Sequence, residues 1–473
     1  MLAEHHQTFI ALAALFLWPI VSLCIFASAK NPSRGLISTV LAAQLLLPVG
    51  AALKFPMIPQ IDKVTITNFS ALLGCMIFMR GKAAGGSSRF GLIEILLLMC
   101  VIGPIITSEL NGDNIVIGGR FLPGVGLYDA LSAAESVLIV LIPFFLGRRF
   151  LRTTEDCRSI LLILTFAGLC YSIPLLFEIR FSPQLHFWVY GYYPSEFIQA
   201  MREGGYRPMV FMGHGLLAAF LLMTSLLAAT ALWRNRLRIG NMSPSIVAPY
   251  LALVLLLCKS MGALIYGFLG SLLILFSRPK TQLRIATFLV TLSLMYPLLR
   301  SFDLIPTTTI IDIAKSADQE RGESLQFRFV NEDKLLQRAF ERPFFGWGRY
   351  GRSRVYDADS GKDLSVTDGR WIIDIGQFGL FGFLAEFGLL SMCVYRATLA
   401  FRLIRSAKDQ VTFAALALIV SLNIFDLLPN SGLLPWTWLL SGALLGQAEA
   451  LALARRSSQL PSNAIRPAAI SNA

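Results

Sequence analysis

Apolar runs of roughly 17–25 residues recur along the whole of this 473-residue chain, and that recurrence limits the fold more than any other feature. Hydrophobic residues make up 55% and charged residues only 15%, so water cannot be the solvent for so many helix faces. The candidate spans are 9–28, 36–53, 66–79, 91–107, 128–147, 159–177, 209–232, 245–258, 261–277, 285–299, 371–395, 411–426 and 432–450. They number about thirteen, within a range of about 12–14, and the shorter ones are read as tilted, broken or met by a thinner bilayer. No boundary interrupts them. The expected fold is all-α: a single polytopic helical membrane domain over 1–473, with a large outer loop before the last three helices.

Charge at the joins predicts an orientation. Lys30 and Arg34, Arg80 to Arg89, Arg148 to Arg158, Arg234 to Arg238, Arg278 to Arg284, and Arg396 to Lys408 mark alternate loops. Those loops are expected in the cytoplasm. The segments 54–65, 108–127, 178–208 and 300–370, the turn at Lys259 and the turn around Asp426 then face outward. The amino terminus is expected outside, and the first apolar run, without a basic region before it or a small-residue cleavage pattern after it, reads as a retained anchor. The net charge of +12 fits inward anchoring by anionic lipid and does not argue for nucleic acid. Seven cysteines, scattered and mostly within apolar runs, argue against disulfide staples or a cysteine metal site.

Two outer loops are large enough to carry chemistry. The first, 178–208, holds Arg180, Arg202 and Arg207 among His186, Trp188, Tyr190, Tyr192 and Tyr193. Aromatic rings at that density suit a membrane interface, and they equally suit the apolar faces of sugars. Trp188, Tyr190 and Arg180 are therefore candidate substrate contacts. Arg207, directly before Pro208 and the next span, is placed to hold a phosphate oxygen pair through its planar guanidinium. His186 and His214 have no ligand-like spacing around them and read as structural.

The second loop, 300–370, divides in two. In its first half Phe327, Val330, Leu335, Leu336 and Phe340 are spaced for a short amphipathic helix on the membrane, which Pro343 stops. In the second, Gly346-Trp347-Gly348-Arg349-Tyr350-Gly351-Arg352 allows a close backbone turn ringed by arginines, with Arg349 and Arg352 as anion contacts. It matches neither a nucleotide loop nor a dinucleotide loop. Asp368 stands just before the next apolar helix, where it either caps the helix or takes a proton. Glu196 and Asp374 are the next candidate proton acceptors. Glu94, Glu135, Lys259 and Asp374 are the costly charges within spans, and Lys259 either snorkels at a tight outer turn or neutralises a diphosphate.

The segments CKSMGALIYG, ERPFFGWGRYG and TDGRWIIDIGQFGLFGFLAEFG, in that order, together with RFSPQLHFWVYG and YRPMVFMGHG, resemble the O-antigen ligase and O-antigen polymerase superfamily of bacterial envelopes. The likeness is strongest over roughly 250–400, and the many-helix plan extends it along the chain. It implies metal-independent glycosyl transfer without a cofactor at the periplasmic face of the bacterial inner membrane. The implied donor is a glycan on undecaprenyl diphosphate, and the acceptor a second lipid-linked glycan, lipid A core or a related sugar. Membrane lipids and a chain-length regulator or other polysaccharide-assembly proteins would be the partners. Lys259 stands where the family has an arginine in a Ser-Arg-Gly turn, Arg349 falls in its Pro-x-x-Gly-x-Gly loop, and Arg207 matches the arginine of the earlier outer loop in polymerases. Asp368-Gly369 replaces the His-Asn pair common in ligases, which makes the resemblance more polymerase-like.

The chemistry is coherent without the family. A diphosphate leaving group needs compensating charge, and with no DxD-type metal motif in an outer loop, Arg207, Arg349 and Lys259 are the available source. The reading from another class is a flippase or secondary transporter of a lipid-linked sugar. It would use the same arginines for headgroup capture, but no internal repeat is visible.

Overall fold

The computed structural model describes residues 8–55, 58–81, 91–195, 197–202 and 204–459. Helices dominate: α1 (Phe9–Ser28), α2 (Pro32–Leu46), α3 (Lys63–Phe78), α4 (Leu92–Glu109), α5 (Leu127–Phe150), α6 (Thr154–Phe181), the short α7 (Leu185–Tyr190), α8 (Gly215–Arg234), α9 (Pro244–Leu257), α10 (Met261–Phe276), α11 (Pro279–Ser301), α12 (Thr307–Ala317), α13 (Gln319–Phe340), α14 (Arg370–Ala400), α15 (Ala407–Phe425) and α16 (Pro435–Gln459). Among the described residues, nine of the helices are long and apolar enough to cross a membrane, and α3, α9 and α10 are shorter apolar helices. The chain is thus a multi-helix bundle of the kind that membranes hold. Among the described residues three two-stranded hairpins, β1–β2 (Ala52–Phe55 with Ile58–Asp62), β3–β4 (Ile115–Ile117 with Arg120–Leu122) and β5–β6 (Met201–Arg202 with Gly205–Tyr206), qualify the all-α expectation.

Local chemistry sets the helix boundaries. Thr8 and Asp62 accept hydrogen bonds from Ala11 N and Thr65 N at the starts of α1 and α3, and Thr153 with Asp156 forms a reciprocal cap on α6. The run expected over 36–53 ends as a helix at Leu46, because Pro48 and the left-handed Gly50 turn the chain into β1. Lys259 does form a tight turn between two apolar helices, with its own backbone left-handed.

α8 sits at the centre, with 89% of its apolar window buried, against 28% for α1 at the periphery. α5 and α16 meet backbone to backbone. A Cβ at Gly442 would lie 2.1 Å from Phe144 O, and one at Gly147 2.4 Å from Leu439 O. Small residues permit that approach where no hydrophobic drive exists between helices in lipid. At one end of the bundle Arg148 joins Glu94 and Glu449, both at 2.7 Å, tying α4, α5 and α16 together.

The opposite end gathers the long connections. Lys63 Nζ donates to Leu47 O and Phe211 O, both at 2.9 Å, Arg352 reaches Asp113 O across to the β3–β4 hairpin, and Arg328 donates to Pro429 O. α13 docks there. Leu335, Leu336 and Ala339 enter the core, while Phe327, Val330 and Phe340 stay exposed, so only part of the expected apolar stripe faces away from the protein. Tyr296 and Arg300 of α11 meet Glu332 at 3.2 and 3.3 Å, and the helix stops at Phe340 before Pro343 as expected.

Candidate functional site

The glycine-rich loop and α14 form one unit. α14 is not a continuous helix: Gly379 adopts φ 67° and ψ −167°, a conformation that essentially only glycine tolerates. The loop after Pro343 fills the break with four backbone hydrogen bonds. Trp347 N and Gly348 N donate to Gly376 O and Gln377 O, both at 2.9 Å, while Leu380 N and Phe381 N donate to Pro343 O at 2.8 Å and Phe344 O at 3.1 Å. Two carbonyls and two amides freed by the break thereby find partners, as a low-dielectric setting favours. The fit is close on both sides, because a Cβ at Gly346 would lie 2.5 Å from Gln377 C and one at Gly379 2.3 Å from Phe344 C.

The break brings together charges that an unbroken helix would separate by about 24 Å over sixteen residues. Arg370 Nε and Nη2 each lie 2.7 Å from a carboxylate oxygen of Glu386, and Arg370 Nε is also 3.0 Å from Asp374 Oδ1. Arg349, carried by the loop, lines the same cavity of about 240 Å³, bounded also by α4, α5 and Trp438 of α16. Three of the lining residues also carry a buried polar atom that no described donor or acceptor satisfies, Asp374 Oδ2, Arg349 Nη1 and Trp438 Nε1, and the Asp374 carboxyl lies beside that of Glu386. The cavity is otherwise walled by Cys100, Pro104, Val137, Leu141 and Phe378.

Arg352 does something else. It is fully buried, and its guanidinium donates to Trp347 O (3.1 Å), Asp113 O (2.8 Å), Pro123 O (2.9 Å) and Asp113 Oδ1 (3.0 Å). The side chain clamps the loop to the β3–β4 hairpin. Arg342 joins Asp113 from the other side and stacks over Trp347. Burial acts to raise the Asp113 carboxyl, yet the hydrogen bond and charge of Arg342 outweigh it and hold the group below the usual carboxylate range.

Arg207 and Lys259 meet at the same end of the bundle. Arg207 Nη2 donates to Lys259 O at 3.1 Å, and the Lys259 ammonium lies against Gly205, where a Cβ would come within 2.7 Å of Nζ. Arg207 packs its stem against Gly215 at the start of α8, and Lys259 lies two residues before the start of α10. Two cations thus stand beside two helix amino termini, a setting that favours an anion.

No protein-family model matches the chain, and no curated protein does either.

The remaining candidates fall elsewhere. Asp368 is not the cap of α14, which starts from Gly369 without a side-chain cap; its carboxylate faces Arg328 Nε at 3.6 Å and lines neither main cavity. Arg180 is exposed over the Phe181 ring, and Trp188 is exposed edge-on to Phe177. Tyr190 is buried, donates its hydroxyl to Leu46 O at 2.5 Å and packs on His186 and Phe211. His186 is structural as expected: Val49 N donates to its Nε2 at 3.3 Å, and its Nδ1 lies 2.9 Å from Tyr192 O. His214 caps α8 through Leu216 N. Glu196 lies outside the described residues. A larger cavity of about 500 Å³ lies between the β1–β2 hairpin, Tyr192 and Met212, and none of the candidate residues lines it.

Arg370 and Glu386 were missed in the sequence, since their spacing on a continuous helix forbids contact. The available signal was Gly376, Gly379 and Gly382, three glycines at three-residue spacing inside an apparent span.

Proposed function

We propose that this protein is a metal-independent glycosyltransferase of bacterial surface-polysaccharide synthesis, polymerase-like rather than ligase-like, which transfers a glycan carried on undecaprenyl diphosphate. The observation that carries the reading is the meeting of Arg207 with Lys259, 52 residues apart, beside the starts of α8 and α10. Two cations and two helix dipoles are what a lipid diphosphate headgroup needs at a membrane surface while its polyprenyl tail stays in the bilayer. Charge developing on the departing diphosphate is stabilised by the same groups, each contributing about 2–4 kcal/mol if it behaves like a preorganised oxyanion donor.

In this reading thirteen of the helices cross the inner membrane, α7, α12 and α13 being the exceptions. The long connections face the periplasm, and the end carrying Arg148, Arg149 and Arg152 faces the cytoplasm. A second reading, movement of a lipid-linked sugar across the membrane, is favoured by the break in α14, since transporters build sites at interrupted helices. Purified protein in liposomes, given a lipid-diphosphate oligosaccharide without nucleotide or metal, separates the two. Longer glycans by mass spectrometry support transfer; intact substrate moved to the other leaflet, with no new bond, overturns it in favour of transport.

A further inference from the structure

Arg207 and Lys259 are both carried on constrained backbone. Lys259 is itself left-handed at φ 51°, and Val210, three residues after Arg207, sits at φ 47°. A β-branched residue in that region is a conformational outlier, kept only where its surroundings over-determine it, and such outliers gather at ligand clamps. From Arg207 to His214 the chain is neither helix nor strand, so no ladder of its own holds it. Its amides are nonetheless all engaged as far as Phe211, Pro208 having none. Arg207 N donates to Ala200 O at 2.7 Å, and the others go to two side chains of α6. Met209 N and Val210 N donate to Glu178 Oε2 at 2.9 and 2.8 Å, and Phe211 N donates to the Tyr171 hydroxyl at 3.0 Å. The second Glu178 oxygen, Oε1, accepts from Leu185 N of α7 at 3.1 Å. Tyr171 and Glu178 stand seven residues apart, two turns along one face of the helix, and both are buried.

Glu178 occupies a costly place. It is fully buried, and it lies in the last turn of α6, where the helix dipole opposes a negative charge. What the carboxylate gains there is three backbone N–H groups, two of them on the segment that carries Arg207. Resting on the reading of Arg207 and Lys259 as a diphosphate site, we infer that Glu178 is the positioning residue of that site. With Tyr171 it fixes the backbone of Met209 to Phe211, and through it the Arg207 side chain, whose stem packs on Gly215 and whose Nη2 lies 3.1 Å from Lys259 O. Glu178 touches no ligand; it acts by holding Val210 in its left-handed conformation. Glutamine cannot take over this role. It has one acceptor oxygen where the carboxylate has two, so either Leu185 N or the Met209–Val210 pair would face an amide NH₂.

The test measures binding of undecaprenyl diphosphate to the full-length protein in nanodiscs of zwitterionic phosphatidylcholine, with variants compared at equal amounts of folded protein. Arg207→Ala should weaken binding by about tenfold or more. Glu178→Gln should weaken it by about tenfold in the parent background and change it by no more than about twofold in the Arg207→Ala background, because its effect passes through Arg207. A residue that only holds the fold together would weaken both backgrounds alike. Tyr171→Phe removes an acceptor from the same segment and keeps the shape of the ring, so it covers the case in which Glu178→Gln does not fold. It should show the same coupling at a smaller size, about threefold in the parent and none in Arg207→Ala. Equal weakening of both backgrounds overturns the inference and leaves the diphosphate site standing. So does parent-like binding by the folded variant, Glu178→Gln or in its place Tyr171→Phe, beside a weakened Arg207→Ala. Parent-like binding by Arg207→Ala overturns both the inference and the reading it rests on.

Discussion

Arg349 and Arg352 lie three residues apart in one glycine-rich loop, and their surroundings assign them opposite roles. Arg352 spends four hydrogen bonds on Trp347, Asp113 and Pro123, and each backbone carbonyl stripped of its partner would cost about 1–3 kcal/mol. Arg349 has a buried Nη1 that bonds to nothing described. Arg352→Ala should therefore remove folded, monodisperse protein in size-exclusion chromatography, with lysine a poor substitute because a point charge cannot span the same acceptors. Arg349→Ala should elute like the parent and lose transfer by about 10²-fold or more. A second residue sets a pH response. Burial lifts the Glu332 carboxyl on α13 from its ordinary 4.5 to about 7, against the opposing pull of Arg300. Between those values the folded form keeps a proton that the unfolded form releases, so stability falls as pH rises from about 4.5 to about 7 and levels off above. The thermal midpoint in detergent should decline over that window, and Glu332→Gln should flatten the decline relative to the parent.

At the scale of elements, the decisive feature is the break in α14. Gly379 occupies a region of backbone space essentially closed to other residues, and a Cβ there would strike Phe344 C at 2.3 Å. Alanine at this position combines a backbone cost of about 1–3 kcal/mol with a clash against main chain that cannot rotate away. Gly379→Ala should push the glycine loop off α14, separate Arg370 from Glu386 and eliminate transfer. Hydrogen exchange is the direct check: the amides of Trp347, Gly348, Leu380 and Phe381 should lose protection together, whereas α8 should keep its own. Protection unchanged at those four amides would mean that the loop and the break are not coupled.

For the whole molecule the question is which end faces which compartment. The long connections and the basic turns occupy opposite ends of the bundle, joined there by different networks, Arg352 to the β3–β4 hairpin at one and Arg148 to Glu94 and Glu449 at the other. Ser360→Cys and Arg405→Cys both present exposed positions, and Arg405 is preferred to Ser406 because Ser406 caps α15. In a cysteine-free background, intact spheroplasts exposed to a membrane-impermeant thiol reagent should label the first and not the second. The opposite pattern would invert the orientation and move both candidate sites to the cytoplasm.

Much of the bundle was legible in the sequence because lipid enforces it: backbone polar groups must pair within each apolar run, so helix existence follows from run length almost without tertiary help. The turn at Lys259, the amphipathic α13 with its stop before Pro343, and the structural histidines were readable for equally local reasons. The end of α2 at Leu46 and the three hairpins were not, since short strands need a partner that composition does not announce. Chain position alone put Arg207, Lys259 and Arg349 among the candidates, but could not say that Arg207 would reach Lys259, nor that Arg352 would be absorbed into a clamp. Least readable was the Arg370–Asp374–Glu386 cluster. Helical periodicity places Arg370 and Glu386 a membrane half-width or more apart, and only the docking of a distant glycine loop into the break at Gly379, stabilised by four backbone hydrogen bonds, brings them to 2.7 Å.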